Sequence, residues 1–156
     1  MRGRKQAPKR EINPDPKYNS IVLEKFINHL MISGEKTVAR SVVYKALEIS
    51  EKKTGKQPMQ VFSQALKNVS PTIEVKTKRV GGANYQVPIQ VMGERKRFLA
   101  MNWLIQAARK KKGRSMAEKL AEEFIASGNN EGEAIRNKEL VRRQAEANRA
   151  FAYLAW

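Results

Sequence analysis

The chain has 156 residues, of which 31 are lysine or arginine and 15 are aspartate or glutamate, giving a formal net charge of +16. So large a positive balance favours a polyanionic partner, above all a nucleic acid. The absence of cysteine excludes disulfides, thiol nucleophiles and thiolate metal sites. No apolar run reaches the roughly 20 residues that a membrane-spanning helix needs.

Residues 1–18 are predicted to form a basic arm that is disordered on its own, followed by one helical domain over residues 19–156. The arm combines cations with prolines and few apolar residues, so it cannot bury enough surface to offset the entropy cost of ordering. A frayed terminus has the same composition, but the charge of the whole chain favours an arm that folds onto nucleic acid. The cations of this arm are Arg2, Arg4, Lys5, Lys9 and Arg10.

Apolar residues recur at helical spacing in six segments, which predicts about six helices. Ser20 is a candidate N-cap, Pro58 suits a first helical turn, and Ser115 with Glu118 forms a capping box. In the second helix Val38 is predicted to face inward. The predicted helices cover about 20–32, 36–53, 58–70, 94–109 and 115–128, with a last helix carrying apolar residues to Trp156.

Between the third and fourth helices, residues 72–92 alternate in the pattern of two β-strands around a Gly81–Asn84 turn. Gly81 and Gly82 supply the positive φ of a tight turn, and Asn84 tolerates it. An isolated two-stranded hairpin is marginally stable in water, so the pattern predicts a packing partner. Four apolar residues lie near its base, where they are expected to pack on the helices: Ile73, Val75, Ile89 and Val91.

The end of this hairpin is basic. Lys76, Lys78 and Arg79 lie beside bare glycine, which lets a backbone approach phosphates closely while the cations neutralise their charge. This pattern favours a nucleic-acid contact. It is also found in a solvated hairpin that happens to be basic, and the local sequence leaves both interpretations open.

The predicted fourth helix carries cations at both ends. Arg95, Lys96 and Arg97 crowd its first turn, where the helix dipole disfavours each cation by about 0.3–1 kcal/mol, and an adjacent anion would offset that cost. A second run follows the last turn, where the dipole favours cations, so it fits a solvated helix end as well as a binding site. The second run comprises Arg109, Lys110, Lys111, Lys112 and Arg114.

The residues of an enzyme active site do not assemble in this sequence. His29 is the only histidine, and Glu122 and Glu123 are adjacent, so they point to different sides of a helix. The segment 34–37 lacks the glycine spacing of a phosphate-binding P-loop. No Asp, Glu or His group has metal-ligand spacing. The sequence therefore predicts a non-enzymatic protein without cofactor or metal.

Three motifs connect the chain with a known family. The segment 79–88 closely resembles the hairpin of the universal small-subunit ribosomal protein seven family in its bacterial-type form. The segment 145–152 resembles the family's last helix, a closing Trp156 also fits, and the segment 28–36 resembles its first helix-turn-helix signature. The resemblance covers essentially the whole chain.

One position departs from the family pattern. Family members often have two basic residues after the glycine that corresponds to Gly34, and here Glu35 takes one of those places. The RNA contact expected there is therefore weakened or depends on Lys36 alone.

The resemblance implies a mainly α fold, a bundle of about six helices with one protruding two-stranded β-hairpin, which agrees with the periodicity. It implies a primary binder of small-subunit ribosomal RNA, at the 3′ major domain, that nucleates head assembly in the cytoplasm of a bacterium or in an organelle. It also implies a position near the exit-site transfer RNA and the messenger RNA exit path. The expected protein partners are small-subunit ribosomal proteins nine and eleven, with no membrane and no small-molecule substrate.

We expect RNA recognition to depend on charge and shape, through phosphate contacts spread over many cations. The expected ribosomal-RNA-binding residues are Arg2, Arg4, Lys5, Lys9, Arg10, Lys25, Lys36, Lys76, Lys78, Arg79, Arg95, Lys96, Arg97, Arg109, Lys110, Lys111 and Arg114. By resemblance, the residues expected near transfer or messenger RNA are Lys78, Arg79, Gly81, Gly82, Ala83, Asn84, Arg142, Arg143 and Arg149.

Two other classes of protein share parts of this pattern. An architectural DNA-binding protein also uses a basic ribbon on a helical body, but such arms usually wedge apolar residues between bases, and this tip offers only Val80. A cationic protein of membrane surfaces needs apolar helix faces free for lipid, whereas here those faces are needed for the core.

Overall fold

The computed structural model describes residues 11–155 as six α-helices, a two-stranded antiparallel hairpin and a final 3₁₀ helix. The predicted fold class, with the hairpin between the third and fourth helices, is confirmed. The elements are α1 (Ile21–Leu30), α2 (Lys36–Thr54), α3 (Pro58–Val69), β1 (Ile73–Val80), β2 (Ala83–Gln90), α4 (Gly93–Lys110), α5 (Met116–Gly128), α6 (Glu133–Ala147) and the 3₁₀ helix (Arg149–Leu154). Outside the described residues lie Arg2, Arg4, Lys5, Lys9, Arg10 and Trp156. Within residues 11–155, every helix is too short or too polar to cross a membrane.

Local signals in the sequence set several helix ends. The Ser20 hydroxyl accepts a hydrogen bond from the Leu23 N–H at 3.3 Å, and the Ser115 hydroxyl accepts one from the Glu118 N–H at 3.4 Å. Each of these bonds satisfies a backbone donor that the first turn of a helix leaves free. Both predicted N-caps are therefore confirmed.

The core is centred on three phenylalanines from three helices. Phe26, Phe62 and Phe124 are almost fully buried, and their ring centroids lie 5.3 to 5.6 Å apart. Tilted and edge-to-face pairs of this kind add to the stabilisation from burial. α5 carries Phe124 and packs against α2, α3, α4 and α6, which makes it the central element of the bundle.

Val38 does not face inward, in contrast to the prediction. Its side chain is 57% exposed, while the buried stripe of α2 runs through Ala39, Val43, Ala46 and Leu47. Val38 lies about 100° around the helix from Ala39, so it falls beside this stripe and outside the core.

The last helix is shorter than predicted, because the apolar spacing had extended it to Trp156. α6 ends at Ala147, and the Asn148 side-chain amide donates a hydrogen bond to the Gln144 carbonyl at 2.8 Å. Side-chain bonds of this type compete with regular helix hydrogen bonds. The following 3₁₀ helix packs against β2.

The hairpin turn is shorter than predicted. Val80 pairs with Ala83, so the turn consists of Gly81 and Gly82 alone, with φ angles of +58° and +89°. Two consecutive residues with positive φ are the mark of the tight turn that suits the twist of a hairpin. Ala83 and Asn84 therefore belong to β2, and Asn84 does not adopt a positive φ.

The strand register decides which face of the hairpin packs on the body. Glu74 lies opposite Ile89, and Lys76 lies opposite Val87, so these residues share one face of the ribbon. That face packs on the body, since Glu74 and Val87 are buried. Ile73 and Val75 lie on the other face and are half-buried. Of the four apolar residues expected to pack on the helices, Val91 is buried and Ile73, Val75 and Ile89 are half-buried.

Part of the predicted N-terminal arm is anchored to the body. Asp15 is buried, and its carboxylate accepts hydrogen bonds from the Tyr18 N–H at 3.0 Å and the Tyr44 hydroxyl at 2.6 Å. Burial, together with the Asp15 hydrogen bond, raises the pKa of Tyr44 to about 12. The folded body therefore begins before the predicted boundary at residue 18.

Candidate nucleic-acid interface

The hairpin is anchored to the C-terminal part of the chain almost to its tip. The Tyr85 and Phe151 ring centroids lie 5.2 Å apart, and the Lys78 ammonium donates a hydrogen bond to the Leu154 carbonyl at 2.9 Å. Lys78 and Tyr85 face each other across the ribbon. Only residues 79–84, here named the hairpin tip, extend beyond this anchor. Tyr85 thus packs on the 3₁₀ helix, a role that sequence reasoning did not identify.

The base of the hairpin holds a buried carboxylate between two cations. Glu74 accepts two hydrogen bonds from the Arg95 guanidinium at 2.9 and 3.0 Å, and its other oxygen lies 3.0 Å from the Lys76 ammonium. Burial acts to raise the pKa of Glu74, but the hydrogen bonds and charges of Arg95 and Lys76 hold it below the usual value. Glu74 is therefore an internal anion that offsets the predicted dipole cost at the start of α4.

A cleft of about 390 Å³ lies between α1 and the first turns of α4 and is here named the α1–α4 cleft. Phe98 is an aromatic residue of α4, and its side chain is 38% exposed in this cleft. The Arg95 guanidinium carbon lies 5.2 Å from the Phe98 ring centroid, and the His29 ring meets Phe98 edge-on at 5.0 Å. The cleft is lined by Lys25, Asn28, His29, Arg95, Arg97 and Phe98, together with Ile12, Met101 and the acidic Glu94.

Sequence reasoning missed the α1–α4 cleft, although one signal pointed toward it. Phe98 follows Arg95 by three positions, a spacing that brings two side chains together on one helix face. An aromatic residue on the same face as a cation indicates a surface position as readily as a core position.

The basic run at the C-terminal end of α4 is largely used inside the protein. Lys111 lies 2.9 Å from the fully buried Glu123 carboxylate, and Arg109 donates a hydrogen bond to the Leu30 carbonyl at 3.1 Å. Lys110 pairs with Glu133 at 3.5 Å, and Arg114 pairs with Glu122. These four predicted RNA ligands therefore have partners on neighbouring elements.

Three other predicted cations also have carboxylate partners. Lys36 lies 2.5 Å from the buried Glu24, and Lys25 lies 2.5 Å from Glu94. Arg142 pairs with a glutamate one helical turn away on α6, at 3.0 Å. Each pair reduces the excess charge that its cation offers to a phosphate.

The remaining predicted cations that lie within residues 11–155 make no ion pair or hydrogen bond with any residue of that range. These are Arg79, Lys96, Arg97, Arg143 and Arg149. They fall on two surfaces, since Lys96 and Arg97 lie at the start of α4, whereas Arg79 lies at the hairpin tip. Arg143 and Arg149 lie on α6 and on the 3₁₀ helix, both of which contact the hairpin. Residues 11–155 contain no group of three or more His, Asp or Glu that could hold a metal ion.

Comparison with known proteins defines what kind of protein presents these surfaces. A family model described as ribosomal protein S7p/S5e matches residues 2–149. The chain belongs to this family. It is similar to the S7-family proteins named small ribosomal subunit protein uS7 from Thermotoga maritima (53% identity, covering 98% of this chain and 99% of the relative) and Nitrosomonas europaea (53%, 98% and 98%). A further uS7, from Rhodopseudomonas palustris, is 50% identical over the full length of both chains.

Membership of the S7 family makes the chain a structural, non-enzymatic constituent of the small ribosomal subunit, located with the bacterial ribosome in the cytoplasm. The resemblance drawn from the hairpin, the last helix and the first helix-turn-helix signature is thereby confirmed. The same result decides against an architectural DNA-binding protein and against a membrane-surface protein.

Proposed function

We propose that this S7-family chain is a primary binder of small-subunit ribosomal RNA at the 3′ major domain and that it nucleates assembly of the head. The observation that carries the proposal is the placement of unpaired cations at the hairpin tip and at the start of α4. Between these two surfaces, the Lys76–Glu74–Arg95 cluster fixes two further exposed cations. Folded RNA presents phosphates at several positions at once, and a rigid body with separated cations suits that target.

The hairpin tip and the exposed arginines of α6 and the 3₁₀ helix are the proposed neighbours of the exit-site transfer RNA and of the messenger RNA exit path. Gly81 and Gly82 carry no side chain, so an RNA backbone can approach the tip closely. Arg143 and Arg149 belong to α6 and to the 3₁₀ helix, both of which contact the hairpin, and they make no ion pair with residues 11–155.

Ribosomal proteins nine and eleven are the proposed protein neighbours. Large apolar side chains are exposed at Ile32, Val38 and Met92, and exposed apolar surface favours protein contacts over contacts with phosphates.

RNA binding is tested with the double variant Arg79→Ala/Arg97→Ala and a transcript of the 3′ major domain. We expect weaker binding and a salt slope reduced by roughly 1.4 to 1.8, because each lost phosphate contact removes about 0.7 to 0.9. Filter binding between 50 and 400 mM salt measures both quantities. Lys52→Ala, an exposed lysine outside the predicted set, serves as the matched control and should leave the slope unchanged.

A wild-type protein that binds this transcript no better than it binds duplex DNA at equal phosphate concentration would contradict the proposal. The nucleating role has its own test in stepwise reconstitution of the subunit. Proteins nine and eleven should join the RNA only after this chain has been added. Their incorporation in its absence would remove the nucleating role but not the RNA binding.

A further inference from the structure

The α1–α4 cleft has a composition that phosphate binding alone does not require. Phosphate recognition needs cations and amide donors, yet this cleft also exposes an aromatic ring and two unpaired polar side chains beside it. We infer that the cleft receives a single unpaired nucleobase of the bound RNA, stacked on the surface formed by Phe98 and the Arg95 guanidinium. This inference rests on the RNA-binding function proposed above.

The stacking surface is held in place from two sides. Glu74 fixes the Arg95 guanidinium through two hydrogen bonds, and His29 holds the Phe98 ring edge-on at 5.0 Å. Bases stack on aromatic rings and on arginine guanidinium planes alike, and the Arg95 guanidinium lies over the Phe98 ring, so the two groups form one stack to which a base can be added. A platform that is already ordered loses little conformational entropy when a base binds.

Polar groups that could read the edge of a base line the same cleft. The side chains of Asn28 and His29 make no hydrogen bond with any residue in the described part of the chain. Asn28 offers both donors and an acceptor. Burial, with a smaller effect of the nearby Lys25 charge, lowers the pKa of His29, so near neutral pH its ring offers one donor and one acceptor.

Charge at the rim suits the phosphates that flank such a base. Arg97 lines the cleft without an internal partner among residues 11–155, and Lys25 lines it as the partner of Glu94. The cleft volume of about 390 Å³ lies within the range of about 300 to 1,000 Å³ that is usual for small-molecule sites. A base inside a duplex is stacked on its neighbours and cannot enter, which restricts the ligand to an unpaired nucleotide.

The test compares two substitutions of Phe98 in the full-length chain, using the 3′ major domain transcript. Phe98→Leu keeps the apolar volume and removes the aromatic face, so we expect about 5- to 30-fold weaker binding with an unchanged salt slope. Phe98→Trp keeps a stacking face, so its affinity should equal that of the wild type. Its fluorescence should be quenched by RNA beyond the quenching of the native tryptophans in the wild-type protein.

Leu140→Ala, which alters an exposed aliphatic side chain on α6, is the negative control and should bind as the wild type does. Asn28→Ala gives a second variant in case Phe98→Leu fails to fold, with an expected loss of about 2- to 10-fold from one hydrogen bond. Circular dichroism melting curves identify the folded variants.

The outcomes separate this inference from the proposed function. If the wild type fails to bind the transcript, the RNA-binding function itself falls. If the wild type binds while Phe98→Leu and Asn28→Ala bind equally well, the function stands and the stacking site is overturned. A weaker Phe98→Leu with a reduced salt slope would also overturn it, because the loss would then come from displaced cations.

Discussion

Buried acidic residues position several of the basic ones in this protein. Glu24, Glu74 and Glu123 are buried, and each lies against at least one cation from another part of the chain. A buried carboxylate is stable only when partners compensate its lost hydration. These acids therefore hold the cations in fixed positions. Each acid also cancels part of the positive charge that its cation would otherwise present.

The lowered pKa of Glu74 predicts how its contribution to stability depends on pH. A carboxyl whose pKa is lower in the folded than in the unfolded state stabilises the fold above the unfolded value of 4.5, and this contribution is lost as pH falls through the folded pKa. We expect Glu74→Gln to lower the free energy of unfolding at pH 7 by about 1 to 3 kcal/mol. Urea titration from pH 7 to pH 3 should show this difference shrinking.

Glu51→Gln is the control for that titration, since Glu51 is exposed on α2. Its free energy of unfolding should follow the wild type at every pH. A Glu74→Gln difference that stays constant down to pH 3 would mean that the Glu74 charge does not provide the stabilisation.

At the scale of secondary-structure elements, the turn between α5 and α6 depends on the Glu123 side chain. One Glu123 oxygen accepts a hydrogen bond from the Ala134 N–H at 2.9 Å, and the other lies against Lys111 at the end of α4. One buried carboxylate therefore joins α4, α5 and the first turn of α6. Gly132, just before α6, has a φ of +94° and lies against the same carboxylate.

Gly132→Ala is predicted to destabilise the protein more than Gly34→Ala. Both glycines have positive φ, but a Cβ at Gly132 would lie 2.8 Å from a Glu123 oxygen, whereas a Cβ at Gly34 would meet open space. Gly34→Ala therefore measures the backbone strain alone and should lower the free energy of unfolding by about 1 kcal/mol. Gly132→Ala adds the clash with the Glu123 oxygen. We therefore expect it to lower the free energy of unfolding, measured in urea, by about 2 to 4 kcal/mol. Equal losses would show that the Glu123 carboxylate moves aside freely.

The hairpin is a second case in which one element depends on another. A two-stranded ribbon needs a packing partner in water. The C-terminal elements supply it here, because α6 and the 3₁₀ helix both contact the hairpin. The break at Asn148 allows the 3₁₀ helix to place Phe151 against Tyr85.

At the scale of the whole molecule, the net charge of +16 opposes compaction. The internal ion pairs gather positive and negative charges into clusters, but they leave unpaired cations at the hairpin tip and at the start of α4. A bound polyanion would neutralise this excess. The protein is therefore expected to be considerably more stable with its RNA than without it.

Thermal unfolding, followed by tryptophan fluorescence, tests this expectation. The 3′ major domain transcript at about 100 times its Kd should stabilise the fold by about 2.7 kcal/mol. Raising the salt concentration should raise the Tm of the free protein by screening self-repulsion and should shrink the gain from RNA. Duplex DNA at equal phosphate concentration is the control, and a gain as large as that from the transcript would contradict selective RNA binding.

The amino-acid sequence by itself determined the helical segments, the two serine N-caps, the existence and place of the hairpin, and the family. These features depend on residues within a few positions of one another, such as a capping serine and the N–H three residues later. The types of residue in the candidate site were likewise evident, since the excess of cations is a property of composition.

Only the tertiary structure decided which cations are free, which face of the hairpin is buried, and that Phe98 lines a cleft with His29. The Glu74–Arg95 pair joins residues 21 positions apart, and the Arg109 contact with Leu30 spans 79 positions. Such contacts depend on how elements pack, and local spacing carries no information about them. For that physical reason the chemistry of the site could be predicted from the sequence, whereas its geometry could not.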